Sequence, residues 1–568
     1  MARPTLSQAR AALQRHFGYP DFRPLQLPAV EAVLSGSDAV IVLPTGGGKS
    51  VCFQVPALCL DRLTVVVSPL ISLMADQVQA LERRGVAATY LNSTLAPDES
   101  AARVARLRRG AVQLLYVAPE RLVAGSTATL LAEVGVDLLA IDEAHCVSEW
   151  GQDFRPSYLQ LASIRRRIGD PQTVALTATA TPRVRRDIAR LLALRDPVFT
   201  VGGFDRPNLA FRVTRVKSDA ERYQAMVRLL KGLRDPAVVY AATRRQVETV
   251  ARILSSGGVN AVAYHAGLAA ERRSVAQDAF MSGARQVIVA TNAFGMGIDK
   301  PDVRLVLHYL HSGSLEDYYQ EAGRAGRDGR PSTCRLLFNP SDRQVHDRMR
   351  QQGKVGGEVL RQVWHRLAAL SNGRRAVPLD AALIAPRLGR GVSVESVTSA
   401  LSMLADRGVL QTVTRPAHVR LRVLASPLRV ECERGALSRD ASDVLARVLV
   451  LASGPDEWRS IAVLDSGFTA FRLTNALLEL ESRQLVFVDR VAARAVVSPD
   501  APSRSRLERL IHHLKVRHEI ERAKLASMVS YATALICRRR FILNYFGDTS
   551  SNFATCGRCD VCTPRDEP

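Results

Sequence analysis

The chain has 568 residues, 47% of them hydrophobic and 23% charged, which excludes a single core and predicts about three or four globular domains. Its formal charge of +22 favours a polyanionic partner, most often nucleic acid. Gene base composition could explain the preference for arginine over lysine, but explains the positive excess less well. No apolar run reaches the length of a bilayer span, so we expect no membrane segment.

The first 200 residues alternate helical patterns with short runs that are apolar on both faces, as parallel strands between helices are. These runs lie at 39–44, 63–70, 112–119, 136–145 and 173–180. After a linker at 204–209 the alternation resumes, with runs at 236–243, 260–267, 285–292 and 303–310. The chain is therefore predicted to be α/β, with two tandem parallel-sheet domains at 1–203 and 204–345.

The pattern changes after residue 345. Residues 393–410 predict an amphipathic helix, followed by two strands split at 415–418, and 468–498 repeats this order more loosely. Helix followed by β-ribbon is typical of a winged helix, and the sequence leaves open whether 346–500 holds one small domain or two. The sequence of residues 504–545 predicts basic helical structure, within a last domain at 501–568.

Residues 43–50, LPTGGGKS, follow a predicted strand and precede a helix. They fit the phosphate-binding pattern G-x-x-x-x-G-K-[ST] except that Leu43 replaces the first glycine. In such a loop backbone N–H groups cradle the phosphates, lysine reaches the terminal phosphates and the hydroxyl binds Mg²⁺. A glycine-rich turn is the alternative. The predicted nucleotide-binding residues here are Thr45, Gly46, Gly47, Gly48, Lys49 and Ser50.

The run at 136–145 ends in Asp142 and Glu143. A buried strand that delivers two carboxylates suits metal-assisted phosphoryl transfer, in which Asp142 would hold Mg²⁺ and Glu143 would activate the attacking water. Asp-Glu ends many strands, but its combination with the glycine-rich loop makes an accidental match a poor explanation. We expect an ATP site with Mg²⁺, in which Lys49, Asp142 and Glu143 are catalytic.

The segments LPTGGGKS, IDEAHCVSEWG and QEAGRAGRDG occur in an order that resembles the RecQ family of superfamily 2 DNA helicases. The resemblance covers residues 10–342 almost continuously and again about 507–562. It implies two RecA-like domains, and in that superfamily the first phosphate-loop position is commonly not glycine. It also implies an ATP-dependent DNA helicase that moves 3′ to 5′ on single-stranded DNA in repair or recombination.

Further residues take their roles from this resemblance alone. In FGYPDFRPLQ (17–26), Tyr19 would stack on adenine, Gln26 would bind its edge and Arg23 would assist. In SEWGQDFRPSY (148–158), Trp150, Phe154 and Arg155 would grip a single strand, although Trp150 could instead be a core residue. Gln152 stands where the family often has histidine. In the second domain the implied residues are Thr291 and Asn292 near DNA, Asp299 near the nucleotide, and the arginine fingers Arg324 and Arg327.

Four of the nine cysteines cluster near the C-terminus, at Cys537, Cys556, Cys559 and Cys562. Two overlapping C-x₂-C steps with a distal cysteine predict a closed four-thiolate zinc site with a structural role. A disulfide pair or redox C-x₂-C is the alternative. Because the other five cysteines are scattered, we expect a reducing compartment, the cytoplasm in association with the nucleoid.

The zinc region departs from the common bacterial RecQ order, in which it directly follows the second domain and precedes the winged helix. Here residues 355–500 intervene, so the chain resembles relatives with a displaced zinc module. The sequence ends at Pro568, so we expect the helical C-terminal domain of many relatives to be missing. The family's strand-splitting hairpin usually has an aromatic tip, which RPAH (415–418) lacks.

We therefore expect a DNA helicase that uses ATP, Mg²⁺ and Zn²⁺ and binds single-stranded and duplex DNA, with no membrane partner. The alternatives are a DNA-stimulated translocase, an RNA helicase, and an architectural DNA-binding protein whose ATP site has decayed. Protein partners are not predictable from the sequence.

Overall fold

The computed structural model describes residues 3–564 apart from short gaps, and all structural statements below concern the described residues. The gaps are 45, 70, 93, 124–125, 293, 295–299, 352–354, 372–375, 379–380, 389–391, 411, 451–458, 463–469, 498–500 and 550–552. The chain forms two compact units, Met1–His346 with Ile520–Pro568, and Asp347–Glu519.

Lobe 1, residues 3–203, contains a parallel sheet in the order β3-β4-β2-β5-β6-β1-β7. Its strands are β1 (Ala39–Val42), β2 (Leu63–Val67), β3 (Ala88–Leu91), β4 (Leu114–Val117), β5 (Val136–Ile141), β6 (Gln172–Thr177) and β7 (Val198–Val201). Its helices are α1 (Leu6–Phe17), α2 (Leu27–Leu34), α3 (Val51–Ala57), α4 (Ile71–Glu82), α5 (Pro97–Arg108), α6 (Pro119–Val123), α7 (Ser126–Val134), α8 (Leu161–Arg167) and α9 (Pro182–Leu191).

Lobe 2, residues 209–346, contains a second parallel sheet in the order β10-β11-β9-β12-β13-β8. Its strands are β8 (Leu209–Arg215), β9 (Ala237–Tyr240), β10 (Ala261–Tyr264), β11 (Val287–Ala290), β12 (Leu305–His308) and β13 (Ser332–Phe338). Its helices are α10 (Asp219–Leu230), α11 (Arg244–Ser256), α12 (Ala270–Met281), α13 (Leu315–Ala322) and α14 (Asp342–Gln351), the last of which crosses into the next unit.

The predicted apolar runs all became strands, and the two parallel sheets confirm the α/β fold. The central strands β1, β2 and β9 are buried along their whole length, because helices cover both faces of each sheet. The carboxyl ends of β1 and β5 lie on the same edge of the lobe 1 sheet, since all its strands run the same way. That edge carries both predicted phosphate-site segments.

The unit Asp347–Glu519 contains an antiparallel sheet in the order β14-β17-β15-β16. Its elements are α15 (Gly357–Ser371), β14 (Ala376–Pro378), α16 (Ala381–Ile384), α17 (Val394–Asp406), β15 (Thr412–Val423), α18 (Pro427–Glu433), α19 (Arg439–Val450), β16 (Arg459–Ala462), α20 (Ala470–Ser482) and β17 (Val486–Val497). Each predicted helix is followed by strand structure, as the winged-helix pattern requires.

The predicted split of the strands was wrong in both halves. β15 continues through 415–418 as a single strand, and its pairing with β17 shifts register between Pro416 and His418. A bulge at this point accommodates proline, which has no N–H for the ladder. β15 and β17 come from the two similar halves and pair along almost their whole length, so the two halves share one sheet.

The chain then forms the long helix α21 (Ala501–Thr533) and the shorter α22 (Arg538–Phe546). Residues 520–564, here called the C-terminal module, belong to the same compact unit as the two lobes. Met528, Tyr531 and Phe546 are buried in the core that also contains residues of both lobes. No helix among the described residues is both long and apolar enough to span a bilayer.

Candidate active site and metal centre

The phosphate loop joins the buried strand β1 to the helix α3. Gly46 and Gly48 have φ angles of 81° and 76°, a region that glycine enters without the steric cost of a Cβ atom. Lys49 Nζ donates to the carbonyl oxygens of Leu43 and Pro44 at 3.1 and 3.4 Å. The ammonium group thus lies over the loop itself, where an anion would meet it. Thr45, predicted to bind nucleotide, lies outside the described residues.

Two side chains from the segment before α2 hold this loop. Gln26 Nε2 donates to Gly47 O and Gly48 O at 3.3 and 3.1 Å, and Arg23 Nη1 donates to Gly46 O at 2.7 Å. A Cβ atom on Gly48 would lie 2.2 Å from Gln26 Nε2, so this close approach requires glycine. Tyr19, predicted to stack on adenine, is 51% exposed.

Asp142 and Glu143 follow β5 at the same edge of the sheet. Asp142 and Ser50 line one small cavity, so the structure brings the two predicted magnesium ligands together. The Asp142 backbone is fixed on both sides, because its N–H donates to Val67 O at 2.8 Å and Tyr158 Oη donates to its carbonyl at 3.0 Å. Carboxylate and hydroxyl oxygens are ligands that Mg²⁺ accepts.

Glu143 has a left-handed backbone with φ 46° and ψ 44°, a conformation that costs a non-glycine residue about 1–3 kcal/mol and concentrates at functional sites. Its Oε2 lies 3.3 Å from His145 Nδ1, and that ring nitrogen lies 2.8 Å from Thr177 Oγ1 at the end of β6. The carboxylate therefore lies beside a buried histidine whose ring contacts the neighbouring strand β6.

Burial dominates the ionisation of these groups. Burial raises the pKa of Asp142, and the neighbouring Glu143 charge raises it further. Burial also raises the pKa of Glu143 and lowers that of Lys49, whereas the attraction between Lys49 and the two carboxylates opposes both shifts. A divalent cation beside Asp142 would favour its charged form, so the residues present fit Mg²⁺.

The predicted arginine fingers belong to the loop 323–330, here called the arginine loop, which follows α13. Arg324 is 9% exposed, and its charge lowers the pKa of Tyr240 in lobe 2 against the larger raising effect of burial. The charge of Arg327 adds to the lowering of the Lys49 pKa, after the larger effect of burial. Arg327 is therefore close enough to act electrostatically on the phosphate loop of lobe 1.

Residues 148–158 form the loop in which aromatic side chains were predicted to grip a single strand. Trp150 is partly buried against the core, and the Arg183 guanidinium lies 3.6 Å from its ring centroid. Phe154 is also partly buried. Arg155 pairs with Asp153 and donates to Pro69 O at 3.0 Å. Part of the Trp150 side chain therefore packs against the core, as the core-packing alternative predicts. DNA binding by Trp150, Phe154 and Arg155 stays a prediction.

Gln152 connects this loop to both lobes. Its Oε1 accepts from Thr179 Oγ1 at 3.0 Å, and its Nε2 donates to Asp317 Oδ1 at 2.8 Å and to Gln320 Oε1. Asp317 and Gln320 lie on α13, directly before the arginine loop. The residue that departs from the family pattern thus makes a direct contact between the lobes.

Other predicted contacts with DNA and nucleotide lie around the end of β11. Thr291 is largely buried and its N–H donates to Tyr264 O at 3.4 Å, whereas Asn292 is exposed. Asp299, predicted to lie near the nucleotide, is outside the described residues.

The four predicted zinc ligands converge. The sulfur atoms of Cys537, Cys556, Cys559 and Cys562 all lie within 4.8 Å of one another. Cys556 Sγ is 4.0 Å from Cys562 Sγ, too far for a disulfide. The N–H groups of Cys556 and Cys562 donate to Cys562 Sγ and Cys559 Sγ, each at 3.4 Å, which favours thiolates. Four converging thiols fit a tetrahedral zinc ion.

The sequence did not reveal three other polar residues near the predicted site. Arg206 and Asn208 were assigned only to a linker, but both donate to carbonyls of the arginine loop. Gln152 was noted only as a departure from the family pattern. One feature of the sequence could have indicated the role of Arg206 and Asn208. They flank a proline in the linker 204–209, and such side chains commonly bind exposed carbonyls at turns and helix ends.

Three family profiles match the chain. DEAD/DEAH box helicase matches residues 23–188, helicase conserved C-terminal domain matches 221–329, and RecQ zinc-binding matches 503–563. The first two fall in lobe 1 and lobe 2. The third begins only at residue 503, which confirms the predicted displacement of the zinc region.

Among curated proteins, an ATP-dependent DNA helicase RecQ of Bacillus subtilis is 44% identical over 342 residues, which are 60% of this chain and 58% of the relative. The probable ATP-dependent DNA helicase RecS of the same species is 40% identical over 360 residues, 63% of this chain and 72% of the relative. The chain spans only a little over half the length of the curated RecQ proteins it matches.

A solved structure of the DUF1998 helicase MrfA bound to DNA and AMPPNP is also similar, at 21% identity and a TM-score of 0.49 over 61% of this chain and 52% of that one. The coverage of RecS, together with the matched helicase and zinc-binding profiles, assigns this chain to the RecQ helicase family.

Proposed function

We propose that the chain is an ATP-dependent DNA helicase that moves 3′ to 5′ along single-stranded DNA and parts duplex DNA during repair or recombination. The observation that carries the proposal is that one edge of the lobe 1 sheet holds Lys49 with the Asp142–Glu143 pair and contacts lobe 2 beside the arginine loop. That contact is Gln152 Nε2, which donates to Asp317 Oδ1 at 2.8 Å. Such a composite site binds ATP between domains that can open and close.

The chain's residues supply the chemistry of ATP hydrolysis. Backbone N–H groups of the glycine loop and the Lys49 ammonium hold the phosphates. Glu143, fixed near His145, accepts a proton from the water that attacks the terminal phosphorus. Arg327 then stabilises charge on the transferred phosphoryl group, an effect worth about 10³–10⁵ in rate for arginine fingers. A bound Mg²⁺ beside Ser50 and Asp142 would neutralise phosphate charge.

Coupling to DNA follows from the loop 148–158. This loop begins five residues after Glu143 and reaches lobe 2 through Gln152. A strand that stacks on Trp150 displaces Arg183 from the ring and changes the contact that holds the lobes. Stacking of a base on an aromatic ring contributes about 1–3 kcal/mol and tolerates any sequence. Hydrolysis would then alternate between open and closed lobes and advance the protein along the strand.

Phosphate release and strand displacement test this proposal together. We expect single-stranded DNA to stimulate ATP hydrolysis by at least about 10-fold, within the range that preorganised groups supply, and 3′-tailed duplexes to be unwound in preference to 5′-tailed ones. Stimulation without strand displacement would identify a translocase instead. Stimulation by RNA but not DNA would identify an RNA helicase. Binding of DNA with no ATP hydrolysis would leave an architectural protein.

A further inference from the structure

We propose that Arg206 and Asn208, here called the brace, are positioning residues that hold the arginine loop in the geometry needed for hydrolysis. Both lie in the segment that joins the two lobes, outside the phosphate loop and outside the acidic strand. The inference rests on the proposed function for its catalytic consequence, because it assigns to the brace a role in placing Arg324 and Arg327.

Arg206 binds carbonyls of the arginine loop, which directly follows α13. Its Nη1 donates to Gly323 O at 3.4 Å, and its Nη2 donates to Ala325 O and Gly326 O, both at 3.1 Å. Gly323 is the C-cap of α13, where the helix end attracts positive charge, and Ala325 and Gly326 lie in the turns that follow. Ala325 and Gly326 stand between the two predicted arginine fingers, so the guanidinium fixes the backbone from which both fingers extend.

Asn208 holds the same loop from its other side. Its Nδ2 donates to Gly326 O at 2.8 Å and to Arg330 O at 3.1 Å. Gly326 has a φ of 55°, and a Cβ atom there would lie 2.5 Å from Asn208 Nδ2. The loop and the brace therefore approach so closely that no side chain fits between them.

The brace is itself anchored to the C-terminal module. The Phe204 ring stacks on Phe546 with centroids 4.5 Å apart and an interplanar angle of 10°, and the Phe204 N–H donates to Asp548 Oδ2 at 3.1 Å. Asp205 pairs with Arg539 through two hydrogen bonds. Two residues immediately before Arg206 are thus tied to the module that carries the cysteine cluster.

This arrangement gives the arginine loop a support that does not depend on nucleotide. A finger contributes to the transition state only if its guanidinium is already directed at the developing charge, and a misplacement of 1 Å can cost about 10²-fold in rate. The side-chain hydrogen bonds of the brace are directed at the arginine loop of lobe 2, whereas the predicted phosphate and magnesium ligands belong to lobe 1. Loss of the brace should therefore lower turnover and leave nucleotide affinity intact.

The test compares Arg206→Gln and Arg206→Lys with Arg215→Gln, which removes an exposed arginine at the end of β8. We expect Arg206→Gln to lower the DNA-stimulated kcat of ATP hydrolysis by about 10–100-fold with KM and single-strand affinity unchanged. Arg206→Lys should restore part of the loss, and Arg215→Gln should match the parent. A rise in KM at constant kcat, or equal losses in the control, would overturn the proposal.

A double-mutant cycle with Arg327→Ala separates positioning from a general structural effect. If Arg206 acts through the finger, Arg206→Gln should cost little once Arg327 is absent, because residues that act as one unit are strongly non-additive. Full additivity would contradict the proposal. Should Arg206→Gln fail to fold, Asn208→Ala enters the same cycle with the same expected result.

Hydrogen exchange in the nucleotide-free protein provides a readout that does not require activity. We expect Arg206→Gln to speed exchange in residues 323–330 and to leave residues 39–51 unchanged. If the parent protein fails to hydrolyse ATP but the exchange result holds, the proposed function fails and the brace stands. If the parent is active and exchange in the loop does not change, the brace fails and the proposed function stands.

Discussion

Lobe 1 and lobe 2 have the same architecture, parallel strands covered by helices, but hold their functional loops differently. In lobe 1 the phosphate loop and the Asp142–Glu143 pair follow buried strands, and other lobe 1 residues such as Gln26 tie the loop in place. In lobe 2 the arginine loop is held from outside its sheet, by Arg206 and Asn208. Those residues are supported in turn by the C-terminal module.

The difference indicates a division of labour. Lobe 1 carries the groups proposed to bind nucleotide, and the side chains that hold its phosphate loop belong to lobe 1. Lobe 2 carries the proposed arginine fingers, whose loop is held by the linker and follows the helix that Gln152 contacts. Changes to the predicted phosphate-site residues of lobe 1 should therefore abolish hydrolysis, loss of the brace should lower turnover, and loss of the Gln152 contact should weaken control by DNA.

Loss of zinc should lower the stability of the protein more than any other change, because the C-terminal module that holds the linker beside lobe 2 depends on the metal. Structural zinc sites in small peptides have apparent binding free energies of about 10–16 kcal/mol. We expect one zinc per chain by elemental analysis, and expect Cys559→Ser, at a buried ligand position, to lose the metal and much of the stability measured by denaturant unfolding. Cys432→Ser, at an exposed cysteine, is the control; a metal-free parent would refute the site.

Lys49→Ala tests lobe 1 directly. The change removes the ammonium group that would hold the terminal phosphates, so DNA-stimulated phosphate release should fall by at least about 10²-fold. Salt-sensitive binding of single-stranded DNA should persist, because the basic surface is untouched. Lys217→Ala, an exposed lysine of lobe 2, controls for the loss of one charge. Turnover retained in Lys49→Ala would show that the nucleotide site lies elsewhere.

Trp150→Ala asks whether DNA reaches the site through the loop 148–158. Loss of one stacked base should cost about 1–3 kcal/mol, seen as a drop in DNA stimulation of ATP hydrolysis while the basal rate is kept. Phe199→Ala, at an exposed aromatic residue of β7, should behave like the parent. Unchanged stimulation in the Trp150 variant would leave only the core-packing explanation of that residue.

Gln152→Ala tests the contact between the lobes. It removes hydrogen bonds to Thr179, Asp317 and Gln320, each worth about 0.5–1.5 kcal/mol net. We expect a several-fold rise in the DNA concentration needed for half-maximal stimulation, measured by steady-state ATPase titration. Gln152→His, which restores the residue common in the family, should recover part of the coupling; no change in either variant would argue against a coupling role.

Substitution of Asp317 should have the smallest effect, a change in how the stability of the protein depends on pH. Burial and the neighbouring Glu321 charge raise its pKa to about 6 from an ordinary value of 3.8. The folded state then binds more protons than the unfolded state between these values, so stability should fall as pH rises from about 4 to 6. Asp317→Asn should flatten that part of the profile in thermal unfolding; an unaltered slope would contradict the assignment.

The fold was predictable where strands are buried on both faces. β1, β2, β5, β6, β9, β11 and β12 appeared as continuous apolar runs, since helices cover both sides of each sheet. Four strands were missed: β3, β7 and β8 at sheet edges, and β13 inside the lobe 2 sheet, whereas the edge strand β10 was predicted. β7 exposes Val198 and Phe199, and β8 alternates between buried and partly exposed residues. The prediction divided β15 into two strands because a proline suggests a break. In the structure a bulge between Pro416 and His418 accommodates the proline within one strand.

The candidate site was predictable where one short segment determines the geometry. The phosphate loop and the zinc site each need particular residues at fixed intervals, so both could be predicted from the sequence without a structure. Tyr19, Gln26 and Trp150 were found only through family resemblance. Arg206 and Gln152 act on residues more than 100 positions away, and no local pattern marks a contact that only folding creates.

A structure of the protein with single-stranded DNA, Mg²⁺ and a non-hydrolysable ATP analogue tests the central claim most directly. We predict that the Arg327 guanidinium contacts the terminal phosphate held by Lys49, with Arg206 still bound to the carbonyls of Ala325 and Gly326. If Arg324 and Arg327 both faced bulk solvent in the closed complex, hydrolysis would not depend on the second lobe and the account would be wrong.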